Sequence, residues 1–214
     1  MAVAALLAAT ATATAQLDVF RTFDDLVNKT PRSYPKAEFK RWSGKENTKL
    51  VFKDPGHEDI EIECEGIWGF FYGGGLFRIT RDSKYLEGKG ASQIGTPFVV
   101  THLSEVVLYE YGLNVLDAMT KDRDQAYLQG MCGAMSADLN GPMAMVPCYA
   151  AKWSDERLLE FLTDNEDLAD LKTVFVERRG KHKGYGGVGY FDLEWVRSML
   201  RQRENERKEK QEEK

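Results

Sequence analysis

The chain has 214 residues, with 29 Lys and Arg against 34 Asp and Glu, and a formal net charge of −5 at pH 7. At 43% apolar and 29% charged it has the make-up of an ordinary folded domain, which excludes a disordered chain, a collagen-like repeat and a polytopic membrane protein. An acidic chain with no dominant basic face is also a poor nucleic-acid binder, so no nucleic-acid partner is expected.

Residues 1–15, MAVAALLAATATATA, carry no charged side chain. The apolar run over residues 2–9 is too short for a bilayer, which needs about 20 residues. Small residues follow and end in Ala13-Thr14-Ala15, an A-x-A cleavage signature. The pattern predicts a cleaved targeting segment over 1–15, a single domain with an extended N-terminal arm over 16–200, and a charged tail over 201–214. No Lys or Arg precedes the apolar run, and the first Arg is Arg21, which argues against a mitochondrial presequence. An Ala/Thr-rich run ending in A-x-A resembles the thylakoid-transfer segments of plastid proteins. That resemblance implies export across a membrane, with a plastid thylakoid favoured over secretion. The plain alternative is a disordered Ala/Thr tail.

From residue 17 to 47 short apolar anchors alternate with polar stretches. Val19, Phe20, Phe23 and Leu26 have helical spacing. Thr30-Pro31 and Tyr34-Pro35 then break the chain, because the residue before a proline avoids the helix. A short helix and an extended arm are predicted. Residues 48–81 read as strands. Leu50-Val51-Phe52 is one, and Pro55-Gly56 is a turn. Ile60, Ile62 and Cys64 alternate with Asp59, Glu61, Glu63 and Glu65, which turns a row of carboxylates outward. Residues 67–72, closed by Gly73-Gly74-Gly75, and residues 76–80 complete an antiparallel meander of three or four strands.

Helices are predicted next. One is capped by Thr101 or Ser104 and runs through Val106, Val107, Tyr109, Leu113, Val115 and Leu116. A second covers residues 122–135 and is stopped by Asn140-Gly141-Pro142. Ser154 caps a third, with Asp155 and Glu156 in its positive first turn and Leu158, Leu159, Phe161 and Leu162 as its stripe. Residues 173–176 read as one more strand. A Gly-rich loop follows, and a last helix starts near Asp192 with Leu193, Val196 and Leu200 on one face. Every residue from Arg201 to Lys214 is polar, which predicts a solvated helix or frayed end. Strands first and helices after give the α+β class: a small antiparallel meander packed with several helices and a charged C-terminal helix.

Gly184-Tyr185-Gly186-Gly187-Val188-Gly189 matches G-x-G-x-x-G in form. Too little chain follows for the βαβ unit that dinucleotide binding needs, so it reads as a Gly loop. Arg178, Arg179, Lys181, His182 and Lys183 precede it and are the candidate contact for a phosphate, an anionic lipid headgroup or an acidic partner. A solvated loop is the plain alternative. Met131, Cys132, Met135, Met143, Met145 and Cys148 concentrate soft sulfur. Core packing, a Cys132–Cys148 disulfide and a Cu(I) site all stay open for this segment. His57, His102 and His182 share no metal-binding frame. Cys132 and His102 are a nucleophile and base pair only in residue type. No cofactor is named by any of these patterns. Trp68, Phe70, Phe71 and Tyr72 are the candidate lining of a pocket opening near Gly73 to Gly75.

Gly66-Ile67-Trp68 at the start of a strand resembles the G-x-W first-strand motif of the lipocalins. Gly184-Tyr185-Gly186-Gly187, followed by an apolar strand and a charged tail, is similar to the violaxanthin de-epoxidase branch of that group. The resemblance covers about a dozen of the 214 residues and implies eight strands. The chain departs from it in lacking a Cys-rich N-terminal region and in its three predicted helices between residues 101 and 170. No catalytic constellation is visible, and aromatics are plentiful at 11%, which suits a docking surface as well as a core. The leading expectation is a non-enzymatic accessory subunit. It docks through protein partners and membrane-surface contact on a larger assembly, a photosystem-type complex if the address is plastid-like. The alternative is a small-ligand-binding or enzymatic lipocalin-like α+β domain in an exported compartment.

Overall fold

In the computed structural model, residues 15–43, 48–81, 84–85, 95–112, 116, 133–146, 152–181 and 193–212 are described. β1 (Leu17–Phe20) leads into α1 (Phe23–Val27), one turn opened by a capping box. There the Asp25 N–H donates to the Thr22 hydroxyl at 3.1 Å and the Thr22 N–H donates to the Asp25 carboxylate at 2.9 Å. β2 (Arg32–Tyr34) returns beside β1. β3 (Glu38–Ser43), β4 (Lys49–Lys53) and β5 (Ile60–Glu63) then form an antiparallel sheet of their own. A single 3-10 turn, Cys64–Gly66, hands the chain to β6 (Gly69–Tyr72), β7 (Gly75–Ile79), β8 (Pro97–Leu103), β9 (Val107–Tyr111), β10 (Gly133–Ser136) and β11 (Ala144–Val146). Helices α2 (Lys152–Asp164), α3 (Ala169–Lys181) and α4 (Leu193–Glu212) follow.

The large sheet has eight strands in the order β11-β10-β9-β8-β7-β6-β1-β2, with every neighbouring pair antiparallel. Among the described residues it is open, with β2 and β11 at its two ends. The class is therefore α+β.

One face of this sheet is covered twice over. At the β1–β6–β7 end, Leu17, Val19, Phe70, Tyr72 and Phe77 pack against Phe39, Leu50, Phe52, Ile60 and Ile62 of the small sheet. The Phe39 N–H donates to the Tyr72 hydroxyl at 3.0 Å and ties the two sheets together. Phe70 and Phe77, opposite each other across β6 and β7, stack with centroids 4.7 Å apart. At the β9–β11 end, Leu108, Met135, Ala144 and Val146 pack against Leu158, Phe161, Leu171, Phe175, Leu193, Val196 and Leu200 of the three helices. Gly133 makes that close approach possible, since a Cβ there would lie 2.3 Å from the Leu193 Cδ1 and 2.0 Å from the Tyr109 carbonyl oxygen. The opposite, inner face holds Phe20, Trp68, Leu76, Phe98, Val100, Val107, Tyr109, Ala134 and Met143, with Leu26 of α1 and Leu139 over it.

Several expectations change. Val19 and Phe20 belong to a strand, because β1 sits between β2 and β6 rather than starting a helix. The expected arm is β2 and β3, each paired within the domain. The single meander is instead two sheets, divided at the 3-10 turn. The helix expected from Thr101 or Ser104 is β8 and β9. Val107, Tyr109 and Tyr111 face inward while Leu108 and Glu110 face the helices, and burial on both faces hides the period of two. Met135 lies in β10, and Asn140-Gly141-Pro142 belongs to the β10–β11 connection rather than a helix stop. The rest of the second expected helix lies outside the described residues. Ser154 falls inside α2, which starts at Lys152, so it does not cap that helix. Residues 173–176 are helical in α3, where Leu171 and Phe175, four apart, are both buried against the core; packing overrides the β-branched run. The last helix starts at Leu193 and runs through most of the charged tail. The expected targeting segment lies outside the described residues except for Ala15, whose carbonyl accepts from the Ala37 N–H at 3.0 Å. No helix among the described residues is long and apolar enough to cross a membrane.

Candidate functional site

The four aromatics expected to line one pocket are divided by the sheet. Phe70 and Tyr72 point into the core beneath the small sheet, while Trp68 and Phe71 join the inner face. Alternation along β6 sends neighbours to opposite sides, and the bend before Gly69 brings Trp68 round to the side of Phe71.

Trp68 then meets a group of residues that the sequence did not single out. Arg78 on β7 is a lone charge in the apolar run Leu76-Phe77-Arg78-Ile79, and it is 7% exposed. Its guanidinium crosses the inner face. Nη1 donates to the Tyr109 hydroxyl on β9 at 2.9 Å, and Nη2 donates to the carbonyls of Asn140 and Gly141 at 3.2 and 2.6 Å. The Trp68 Nε1–H donates to the Asn140 Oδ1 at 2.9 Å. Arg78 Cζ lies 5.9 Å from the Trp68 ring centroid and 5.7 Å from that of Tyr109, both within cation–π range.

The direction of the hydrogen bonds around Tyr109 is fixed by counting protons. The Ser136 hydroxyl donates to the Asp138 carbonyl at 2.5 Å, so its one proton is spent. The Tyr109 and Ser136 oxygens are 2.8 Å apart, so Tyr109 is the donor between them. The relay therefore runs from Arg78 through Tyr109 and Ser136 to the Asp138 carbonyl. Burial pushes the Tyr109 phenol above its ordinary value, against the Arg78 charge and the Ser136 hydrogen bond, which pull it down. The phenol stays a neutral donor, and no free base is left in the relay. Asp138 shapes the turn, since its Oδ1 accepts from the N–H groups of Asn140 and Gly141 at 2.8 and 2.6 Å.

β7 and β10 are three strands apart in the sheet order. In a flat sheet that separation is about 14 Å. Long side chains from β7 and β9 span the gap, and the 137–141 turn brings its carbonyls to Arg78. Around this clasp Phe23, Phe71, Leu103, Tyr111 and Met145 are only partly buried. The site is an apolar, aromatic face with one largely buried cation and three polar side chains beside it.

The other candidates are dispersed. Arg178 lies in α3, not in a loop, with its guanidinium 4.0 Å from the centroid of Trp195 on α4, so it already serves to hold two helices together. Arg179 and Lys181 fall within the same helix. Arg178, Arg179 and Lys181 are thus helical where a loop was expected, in the helix whose Leu171 and Phe175 pack into the core. His182 and Lys183 lie outside the described residues, as do Cys132, Cys148 and the Gly184–Gly189 run. Met135 packs with the helices while Met143 and Met145 pack on the inner face, so the described sulfurs do not converge. Cys64 is free and fully buried. The outward carboxylates are met from within: Lys49 pairs with Glu61 and Glu63 at 3.3 and 2.8 Å, and Lys40 with Asp59 at 2.6 Å. His102 Nε2 lies 2.9 Å from the Ser104 hydroxyl and 3.5 Å from the Glu204 carboxylate; burial lowers its pKa, against Glu204. No group of three or more His, Cys, Asp and Glu among the described residues is placed to hold a metal ion.

Comparison of the chain with family models, curated proteins and solved structures finds no match. The function has to be read from the geometry.

Proposed function

We propose that the chain is a small-ligand-binding domain, with the ligand held against the inner face of the eight-stranded sheet. The observation that carries this reading is the convergence of Arg78, Tyr109, Trp68 and Asn140 on an otherwise apolar face edged by half-buried Phe23, Phe71 and Tyr111. Binding sites of this kind are mostly apolar, with a few placed polar groups that fix orientation. The eight-stranded antiparallel order also accords with the lipocalin-like alternative read from Gly66-Ile67-Trp68, although among the described residues this sheet is open where such a barrel closes.

The competing reading is an accessory subunit docked on a membrane-associated, photosystem-type assembly. It calls for a continuous apolar surface. Among the described residues the large hydrophobics that stand exposed are Val27 and Val176, on α1 and α3. The inner face offers more to a small molecule than this surface offers to a protein.

Titration of the full chain with N-phenyl-1-naphthylamine, a neutral apolar fluorophore excited by tryptophan emission, tests the proposal. Saturable one-to-one uptake with energy transfer that drops in Trp68→Phe is the expected result. Absence of saturable uptake, together with co-migration of the native protein with a large complex, would replace it with the docking reading.

A further inference from the structure

We infer that Asn140-Gly141 is a site of intramolecular deamidation that Asp138 holds closed in the folded chain. Asparagine before glycine is the pair most open to this reaction, because glycine sets no Cβ beside the attacking nitrogen. The Gly141 nitrogen bonds to the Asn140 Cγ, the Cγ–Nδ2 bond breaks, and the Gly141 proton leaves with the amide group as ammonia. Water then opens the five-membered imide at either carbonyl and leaves an aspartyl or an isoaspartyl residue. Nothing is oxidised or reduced. Water is the one co-reactant, and Asn140 is exposed to it.

Both reacting groups are engaged elsewhere in the fold. The Gly141 N–H donates to the Asp138 Oδ1 at 2.6 Å, and the Asn140 N–H donates to the same oxygen at 2.8 Å. Attack requires the Gly141 nitrogen to give up its proton. Beside the Asp138 carboxylate that step sets two negative charges next to each other. The Asn140 Oδ1 accepts from the Trp68 Nε1–H at 2.9 Å, which ties down the group under attack. The same turn commits the chain to glycine, since a Cβ at 141 would lie 2.8 Å from the Asp138 Oδ2. The change is also one-way. Arg78 Nη2 holds the carbonyls of Asn140 and Gly141 at 3.2 and 2.6 Å. An isoaspartyl link adds a methylene to the main chain between residue 140 and Gly141, so the turn no longer matches the guanidinium. A chain whose turn has opened and reacted therefore stays marked.

The test is peptide mapping of the full chain after incubation in mildly alkaline buffer, native and unfolded in guanidinium chloride. The readout is the amide-to-acid gain in mass at residue 140. The native chain is expected to react at least about tenfold more slowly than the unfolded one, the scale of a charge-assisted hydrogen bond. Folded Asp138→Ala is expected to approach the unfolded rate. Asp138→Asn, which keeps an acceptor oxygen but no charge, is expected to react faster than the wild type and serves where Asp138→Ala does not fold. Equal rates for native and unfolded wild-type chain, or no gain at residue 140 in the unfolded chain, would overturn the guarded site. Folded Asp138 variants as slow as the wild type, or slower, would overturn the part given to Asp138.

Discussion

Cys64 shows what burial does to one side chain. Its thiol is pushed from an ordinary 9.0 up to about 12, first by burial and then by the Glu63 and Glu65 charges, against a backbone hydrogen bond at Leu50. The folded value lies above the unfolded one, so the protonated thiol contributes stability that is whole below pH 9 and is lost as pH rises through 12. Over that window the thiol alone contributes a slope of up to about 1.4 kcal/mol per pH unit. Urea midpoints of the wild-type chain are expected to fall more steeply over this window than those of Cys64→Ala. Parallel curves would refute the assignment. The native thiol is also expected to resist a thiol reagent that modifies the unfolded chain, since the thiolate is the reactive form. A single Arg inside Leu76-Phe77-Arg78-Ile79 is the residue the inner face is organised around, and a charge in an apolar strand is the signal for it.

The docking of α4 joins an apolar stripe to a polar seam. Leu193, Val196 and Leu200 are fully buried. Beside them Arg197 donates to Glu110 at 2.7 Å and to the Thr101 hydroxyl at 3.1 Å, while Arg203 meets Glu105 at 3.1 Å and Asp170 at 3.2 Å. Arg197 and Glu110 are 12% and 16% exposed, so losing one partner strands a largely buried charge. Arg197→Met is expected to destabilise the fold by about 3 kcal/mol, whereas Arg197→Met with Glu110→Leu recovers most of that loss. Denaturant midpoints of the two variants check this, and equal losses would show that the pair is not coupled. The stripe of α4 was legible because Leu193, Val196 and Leu200 keep helical spacing. Its partners were not, because β8 and β9 are apolar on both sides and matched a helix over residues 101–116. β4 and β5 were legible for the opposite reason: β5 has one wet face, so Ile60 and Ile62 alternate cleanly with Glu61 and Glu63.

For the whole molecule, the α+β class followed from the order of strand-like and helix-like stretches, and the two-sheet arrangement did not. Local pattern shows that residues 48–81 are strands, but not that a 3-10 turn at Cys64–Gly66 assigns β4 and β5 to one sheet and β6 and β7 to another. The candidate site was hidden for the same reason, since Arg78, Tyr109, Ser136 and Asn140 come from three strands and a turn that meet only in the folded sheet.

The pairing of β1 with β6 also sets an order of assembly. β3–β4–β5 and β6–β7 close over short separations, whereas β1 meets β6 only after the whole small sheet intervenes. Short loops close at lower entropic cost, so the local hairpins form first and the compacted small sheet then shortens the gap that β1 must cross. Pulse labelling during refolding is expected to protect amides shared by β6 and β7 before those shared by β1 and β6; simultaneous protection would contradict this order. During synthesis the ribosome releases Leu17–Phe20 well before Gly69–Tyr72. The nascent chain therefore carries an apolar strand that β2 can pair on one edge while the other edge stays open until β6 emerges, and any factor that shields nascent chains has that interval in which to act.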